Sequence, residues 1–345
     1  MDRMQAAFDV AAGRDGVRTE WLRLGESNVR LRVAGAELGD VISRPLAHLR
    51  IDEPGGEPDL AIDLWDGEAC GVERPIRWFR DVFHRTVRFG RAVLAFSEDE
   101  SMLGYQSAEA ATIYDRSSGR MLGWVADPSR LSLFERGKPL QPLLFAWQAD
   151  RDVVPVHAGL VARSGRGVLL GGAGGSGKTT TSLLCLDAGL SYLGDDYIGL
   201  RASDDGRFIG YSFYSSTWLE PAHLRRFPVL VPHARHGRPD EDKALVVLDE
   251  AYPAGFDRCA SVEALVLPRV AGGSDTTFHP VSKAEALLRL APSSILQLPF
   301  IDGREAMKRM TEMIDQIPCY ELRLGTQFEQ IPRRVAEIIE QAGQA

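Results

Sequence analysis

Apolar and polar residues alternate with a period of two in several short segments of the first third of the chain. Val29, Leu31 and Val33 are separated by arginines, and this pattern predicts a half-buried strand. Residues 60–65 predict a second strand, and residues 112–114 and 121–125 predict a hairpin. Apolar residues at helical spacing in 76–89 predict a helix between them. The N-terminal part is therefore predicted to be α+β.

Beyond residue 140 the pattern changes to strand, turn, helix and strand in succession. Helices are predicted at 140–147 and 177–188, and strands at 153–156, 167–171 and 190–193. Further strands are predicted at 244–248, 263–267 and 320–324, with helices after Ser282 and Asp302 and at 331–339. This order is typical of an α/β core. We predict two domains, 1–130 and 131–345, with the boundary near Asp127-Pro128.

Composition and charge narrow the class of protein. The chain has 345 residues, of which 44% are hydrophobic and 26% charged, so it is neither disordered nor fibrous in composition. Its net charge of −8 argues against general binding of nucleic acid or of an anionic membrane. The four cysteines are far apart and have no zinc-type spacing. We expect a cytoplasmic protein with reduced thiols and no nucleic-acid or membrane partner.

A full match to the phosphate-binding pattern G-x-x-x-x-G-K-[ST] follows the buried strand at 167–171. Backbone N–H groups of such a loop converge on a phosphate at the positive end of the next helix. Lys178 is expected to contact the β- and γ-phosphates, and the hydroxyl of Thr179 to bind Mg²⁺. The segment predicts ATP and Mg²⁺ as cofactors, bound by Gly172, Gly174, Gly175, Ser176, Gly177, Lys178, Thr179 and Thr180.

Two further sets of polar residues lie close to this loop in the sequence. Asp195 and Asp196 follow the strand at 190–193, and an extended pair points its side chains to opposite sides. One carboxylate is then expected to face the γ-phosphate, although a solvated acidic turn is the alternative. His157 ends the strand at 153–156 and is either the hydrogen-bond partner of an active-site aspartate or an ordinary buried histidine.

The order of histidine, phosphate-binding loop and paired aspartate in residues 156–196 resembles the core of HPr kinase/phosphorylase. Over residues 20–340 the chain more closely resembles a group of bacterial HPr-kinase-like proteins. Some of these are tailoring kinases for lasso peptides that phosphorylate a serine of the precursor. The closer resemblance is carried by Trp147 and by residues 193–197, 214–217, 241–244, 267–270 and 291–299.

The resemblance implies a P-loop kinase domain of HPr-kinase type and a homo-oligomer. It makes Asp195 the base on the acceptor hydroxyl, His157 its partner and Asp196 a metal-associated carboxylate. The Glu-x-Arg-Gly signature of HPr kinases is missing from residues 208–218, which argues against phosphorolysis and against HPr as the acceptor. Trp218 also stands where a lysine is expected in close relatives.

Positive charges border the predicted core in two places. Lys243 and Arg269 each adjoin a predicted strand and are expected to contact nucleotide phosphates, unless they are ordinary strand-end charges. Residues 225–243 form a basic stretch with weak secondary-structure signal, interpreted as either a lid or a solvated loop. Its basic residues are Arg225, Arg226, Arg235, Arg238 and Lys243, with His223, His233 and His236 in or beside it.

These features favour a kinase that phosphorylates a serine or threonine hydroxyl of a peptide or protein, with a lasso peptide precursor as one acceptor that the resemblance implies. A kinase for a small molecule, such as a sugar, amino acid or nucleoside, is the nearest alternative. A nucleotide-gated binding protein is an alternative from another class. The strand from Asn28 to Val33 is interpreted either as an acceptor-docking strand or as an interior strand of its own sheet.

Overall fold

The computed structural model describes residues 1–237, 242–296 and 299–343. The chain forms two compact units, Met1–Trp147 and Gln148–Ala345. The unit boundary therefore lies after Trp147, whereas the sequence predicts a domain boundary after residue 130. No helix in the described part of the chain has both the length and the apolar composition needed to cross a membrane.

The first unit consists of a large sheet with short helices. Its elements are α1 (Asp2–Asp15), β1 (Arg18–Leu24), β2 (Ser27–Ala34), α2 (Ala36–Ser43), β3 (Arg50–Ile51), β4 (Leu60–Asp66), α3 (Gly67–Cys70), β5 (Arg85–Phe89), β6 (Ala92–Phe96), β7 (Met102–Gln106), β8 (Ala110–Asp115), β9 (Arg120–Val125), α4 (Leu133–Gly137) and α5 (Gln141–Ala149), in which the unit boundary falls.

The sheet of the first unit has nine strands in the order β3-β1-β2-β4-β9-β8-β7-β6-β5. The predicted strands at 29–33 and 60–65 and the predicted hairpin are confirmed as β2, β4 and the antiparallel pair of β8 and β9. β2 pairs with β1 on one side and with β4 on the other. Its backbone groups are therefore used inside the sheet, and the interpretation of Asn28–Val33 as a docking strand is wrong.

The helix predicted at 76–89 is wrong. The structure has a single 3₁₀ turn at Phe79–Asp81 and then strand β5. Phe79 and Phe83 are both buried, with ring centroids 5.1 Å apart, so the helical spacing covers one turn only. β5 forms because Thr86 and Val87 favour extended backbone and because β6 pairs with it across a tight turn.

Residues 131–143 belong to the first unit because their apolar side chains line a cleft with its sheet. Leu131, Leu140 and Leu143 line this cleft together with Leu64 and Val125. Cutting the chain at residue 130 would separate these side chains from the strands against which they pack. The order of predicted strands and helices does not indicate this packing. The predicted domain boundary therefore differs from the observed one.

The second unit alternates strands and helices. Its elements are β10 (Val154–Val156), β11 (Gly159–Arg163), β12 (Arg166–Leu170), α6 (Lys178–Asp187), β13 (Ser191–Gly194), β14 (Ile198–Ala202), β15 (Phe208–Tyr211), β16 (Ser216–Leu219), α7 (Pro221–Leu224), β17 (Ala234–Arg235), β18 (Ala244–Val247), β19 (Cys259–Val270), β20 (Thr277–Pro280), α8 (Lys283–Leu296), α9 (Gly303–Gln316), β21 (Cys319–Leu324) and α10 (Gln330–Ala342).

The main sheet of the second unit has the order β10-β14-β15-β19-β12-β11-β13, with β21 beside β19 and β20 beside β21. β12, β19 and β21 are parallel, and β11 lies antiparallel between β12 and β13. One core cluster packs side chains of α6 and α10 on the sheet, and another packs those of α8 and α9. The predicted α/β class is confirmed. β16, β18 and β17 form a separate small sheet.

Candidate active site

The phosphate-binding loop lies between β12 and α6, as the sequence predicts. The N–H of Gly171 donates to the carbonyl of Val266 on β19 at 2.9 Å, so the chain leaves the sheet directly before the loop. Gly177, the residue before α6, has a φ of +106°, and a Cβ at this position would lie 2.4 Å from Cδ1 of Leu324. Glycine is therefore required here by both backbone conformation and space. Gly172 also has a positive φ, of +130°.

Lys178 is the first residue of α6 and is 7% exposed. Its Nζ donates to the carbonyl oxygens of Gly172 at 2.6 Å and Ala173 at 3.3 Å, so the ammonium group lies inside the loop. Burial lowers the pKa of Lys178, and the negative charge of Asp195 acts in the opposite direction. The hydroxyl oxygen of Ser176 is buried in the same loop and has no hydrogen-bond partner among the described residues. A phosphate oxygen could accept from both groups.

Asp195 follows β13 and is 5% exposed. Its Oδ1 accepts a hydrogen bond from the hydroxyl of Tyr192 at 3.0 Å, and its Oδ2 accepts one from the hydroxyl of Thr217 at 2.6 Å. Burial and the charge of Asp195 raise the pKa of Tyr192, which keeps that phenol protonated as a donor. The carboxylate is thus held in one orientation by strands β13 and β16.

Asp196 lies in a different environment, because its side chain is 35% exposed and pairs with His157. The distance between Nε2 of His157 and Oδ1 of Asp196 is 2.7 Å. The imidazole stacks on the ring of Tyr197 with centroids 5.1 Å apart, and the backbone N–H of His157 donates to the hydroxyl of Ser294 on α8 at 3.0 Å. The resemblance paired His157 with Asp195, and this pairing is corrected. Asp195 and Asp196 lie in the bend after β13, where Asp195 meets Tyr192 and Thr217 and Asp196 meets His157.

Strand direction explains how these groups come together. β12 and β13 point the same way with β11 between them, so the loop after β12 and the aspartates after β13 lie at one edge of the sheet. Gly159, at the start of β11, lies at the same edge. A Cβ on Gly159 would lie 3.0 Å from the hydroxyl oxygen of Ser182 on α6 and 3.2 Å from Cα of Asp195. The helix after the loop and the aspartate strand therefore approach closely at this glycine.

The structure places Lys243 and Arg269 apart from these contacts. Lys243 precedes β18, is exposed, and lies 3.8 Å from Glu220 in an ion pair. Arg269 lies near the end of β19, the parallel neighbour of β12, and its Nη1 is 3.7 Å from Oε2 of Glu321. Arg269 is thus at the sheet edge from which the loop emerges, whereas no contact in the described residues joins Lys243 to the loop.

The basic stretch at 225–243 contains short secondary-structure elements, although its sequence pattern predicts none clearly. A 3₁₀ helix at Pro228–His233 leads into β17. His233 and Arg235 both pair with Glu250, at 3.1 and 3.3 Å, and Arg226 lies over the ring of Phe328. The charge of Arg235 is therefore partly balanced by Glu250. Arg238 and Glu241 lie outside the described residues.

A magnesium ion fits the oxygen donors at this edge. Among the described residues no group of three or more His, Cys, Asp or Glu could hold a metal. Magnesium in phosphoryl-transfer sites typically uses one or two protein oxygens plus substrate phosphates, so a larger protein ligand set is not needed. The hydroxyl of Thr179, half-buried in the first turn of α6, and the half-exposed carboxylate of Asp196 are of the right type. The Ser176 hydroxyl noted above is suited to the accompanying phosphate.

Four residues of the site were given no role by the sequence: Tyr192, Tyr197, Thr217 and Ser294. Tyr192 and Tyr197 flank the aspartate pair closely in sequence, and Thr217 lies in a segment that carries the resemblance. Ser294 also lies in such a segment. Neither Thr217 nor Ser294 gives a periodicity signal, because each meets its partner only through tertiary packing.

Comparison with known proteins gives limited similarity. No family model matches the chain, and no curated protein matches it. Among solved structures, the HPr(Ser) kinase/phosphatase from Coxiella burnetii matches with 12% sequence identity and a TM-score of 0.32, covering 55% of this chain and 93% of that one. The function is therefore argued from the residues of the site.

Proposed function

We propose that the protein is an ATP- and Mg²⁺-dependent kinase that phosphorylates a serine or threonine hydroxyl of a peptide or protein. The observation that carries this proposal is the buried Asp195 carboxylate, held by Tyr192 and Thr217 at the sheet edge from which the phosphate-binding loop emerges. A phosphate-binding loop alone serves many nucleotide-dependent proteins. An oriented carboxylate at the same sheet edge adds a base for an acceptor hydroxyl.

In the proposed reaction the acceptor oxygen attacks the γ-phosphorus of ATP. A new O–P bond forms as the bond to the bridging oxygen of ADP breaks, and the hydroxyl proton passes to the carboxylate of Asp195. Lys178 and the loop N–H groups stabilise the charge on the transferring phosphoryl group. When bound, Mg²⁺ neutralises phosphate charge, and Thr179 and Asp196 would hold it. His157 orients Asp196 and is therefore a positioning residue.

The finer assignment rests on the sequence resemblance. We propose that the second unit is a kinase domain of HPr-kinase type and that a lasso peptide precursor is an acceptor. Arg269 lies at the sheet edge from which the phosphate-binding loop emerges, a position suited to a further phosphate contact. Its guanidinium would then bind both the phosphate and Glu321. Lys243 lies in an exposed ion pair with Glu220, so we expect it to contribute less to phosphate binding than Arg269 does.

Transfer of labelled phosphate from ATP tests the proposal directly. The full chain is incubated with Mg²⁺, γ-labelled ATP and synthetic peptides matching the short reading frames beside its gene, and phosphoserine is located by mass spectrometry. Lys178→Ala removes the buried ammonium and should lower transfer by at least about 10²-fold. Lys308→Ala is the matched control, because Lys308 is an exposed α9 residue paired only with Glu312 among the residues described. Transfer by Lys178→Ala at the control rate would refute the assignment of the loop.

A further inference from the structure

The first unit carries a concentrated positive charge at one end of its sheet. Residues 74–91, here named the basic edge, contain six arginines and one aspartate in a chain whose net charge is −8. Most of these residues are exposed, and so are the apolar side chains of Trp78, Val82 and Val87, at 42%, 56% and 42%. Exposed apolar side chains beside an excess of positive charge are features that binding surfaces use.

The arginines of the basic edge are only partly neutralised by acidic neighbours. Arg85 pairs with Glu100 at 3.0 Å, and Arg80 pairs with Asp81 at 3.7 Å. Arg74 lies over the rings of Trp78 and Trp124, and burial together with the positive charge of Arg77 lowers the pKa of Arg74. The Arg77 guanidinium has no ion pair within the described ranges. An excess of positive charge therefore remains beside β5.

β5 is the terminal strand of the nine-stranded sheet, and within the part of the chain that the structure describes it pairs with β6 alone. The two strands are joined by a two-residue turn, Gly90 and Arg91, so the closing pair Phe89 and Ala92 is the hydrogen-bonded pair of the hairpin. Hydrogen-bonded and non-hydrogen-bonded pairs alternate along an antiparallel ladder. It follows that Thr86 and Arg88 direct their N–H and C=O groups away from β6, towards the open side of the sheet.

We infer that the basic edge binds an acidic polypeptide segment in extended conformation, which adds to the sheet beside β5. Main-chain groups of Thr86 and Arg88 supply the ladder hydrogen bonds, and the arginines supply attraction to acidic side chains. Under the proposed function this segment belongs to the acceptor, so that part of the inference rests on the proposal above. Self-association through β5 is disfavoured, because two copies would bring their positive charges together.

A peptide is favoured over a nucleic acid by the strand itself. Single-stranded nucleic acids are bound by stacking on aromatic rings and by cations along the backbone, and they do not use a row of unpaired main-chain groups. The basic edge offers such a row in β5, and Trp78 is already stacked against Arg74 and Arg80. Oligonucleotide binding is accordingly the competing outcome in the experiment.

The test measures binding to the full chain without nucleotide. The probe is a fluorescein-labelled acetyl-(Glu-Val)₄-amide peptide, followed by fluorescence anisotropy at low salt, with the (Lys-Val)₄ peptide as its charge control. Thr86→Pro removes one outward N–H without removing a bond to β6, and it should weaken binding about tenfold. Thr86→Val keeps this N–H and should bind like the unmodified chain. The double variant Arg77→Glu/Arg80→Glu should also weaken binding about tenfold.

Each alternative outcome overturns part or all of this inference. If the acidic peptide does not bind, or binds no better than the lysine peptide, the basic edge is not a docking surface for acidic segments. Equal binding by a folded Thr86→Pro chain, checked by circular dichroism, excludes strand addition. The Arg77→Glu/Arg80→Glu variant leaves the strand intact. It therefore tests the attraction between the arginines and the acidic peptide even if the proline variant does not fold. Tighter binding of a dT₁₂ oligonucleotide than of the peptide identifies a nucleic-acid surface.

The binding assay also separates this inference from the proposed kinase function. Lys178→Ala lies in the other unit and should bind the peptide as the unmodified chain does. If the unmodified chain transfers no phosphate to any peptide, the proposed function fails, whereas peptide binding lost with Thr86→Pro would still support the docking surface.

Discussion

At the scale of single residues, the candidate site depends on two buried opposite charges. Lys178 and Asp195 are 7% and 5% exposed, and each is held by hydrogen bonds from or to its neighbours. Burial of either charge alone would be costly, but their mutual attraction and these hydrogen bonds offset part of that cost. The Lys178 ammonium bonds to loop carbonyl oxygens that a bound phosphate would replace as partners. Nucleotide binding is therefore expected to reorganise the loop rather than the sheet.

The two aspartates should respond differently to removal of their charge. Asp195→Asn should keep nucleotide binding but lower turnover by about 10²- to 10⁴-fold, because the proton acceptor is lost. The amide oxygen can still accept from the hydroxyl of Tyr192 or Thr217, and the amide NH₂ can donate to the hydroxyl oxygen of the other. Asp196→Asn should instead raise the Mg²⁺ concentration needed for half-maximal rate. Steady-state kinetics over a Mg²⁺ titration measures both effects. The opposite pattern would exchange the two roles.

Gly177 is expected to tolerate no side chain. Gly177→Ala places a Cβ 2.4 Å from Leu324 in a backbone conformation that alanine rarely adopts, so both the melting temperature and nucleotide affinity should fall. Gly174→Ala is the matched control for the melting temperature, because a Cβ there meets no atom within 4 Å. Thermal unfolding with and without ATP compares the two. A stable, nucleotide-binding Gly177→Ala protein would contradict the steric argument.

At the scale of elements, the loop is held in place by strands and helices that pack on both sides of one sheet. Val168 of β12 belongs to a core cluster with Val335 and Ile338 of α10, and Leu169 belongs to the cluster on the opposite face. The strand that delivers the loop is thus buried on both faces, which explains its continuous apolar sequence. The geometry of the loop consequently depends on helices far along the chain.

Truncation of the α10 core residue tests this dependence. Ile338→Ala should lower the free energy of unfolding by about 2–5 kcal/mol, because Ile338 is fully buried against this cluster. Leu288→Ala on α8 should change it by less than about 0.5 kcal/mol, since Leu288 is 75% exposed. Urea denaturation monitored by circular dichroism provides both values. Similar losses in the two variants would show that α10 contributes little to the core.

At the scale of the whole molecule, the division after Trp147 predicts where the chain can be cut. A fragment 148–345 should fold and bind ATP, because it contains the entire main sheet with its helices. A fragment 131–345 should be less soluble, because Leu131, Leu140 and Leu143 lose the partners with which they line the cleft of the first unit. Size-exclusion chromatography and ATP titration compare the fragments. Equal behaviour of both would place the boundary where the sequence predicts it.

Most of the elements and the identity of the phosphate-binding loop could be predicted from the sequence. Periodicity located β2, β4, β12 and α6, because the side chains of a regular element repeat at a fixed interval along the chain. The glycine pattern identified the loop because its backbone requirements are local.

Which groups meet in space could not be predicted from local sequence and follows from the folded chain. His157 faces Asp196, Thr217 reaches Asp195, and the basic edge replaces a predicted helix, because each depends on strand pairing between distant segments. The position of β2 inside its sheet and the boundary after Trp147 also depend on contacts between segments that are distant in the sequence. Local sequence specifies backbone conformation, whereas contacts across the sheet depend on strand order, and strand order is set by burial of the whole core.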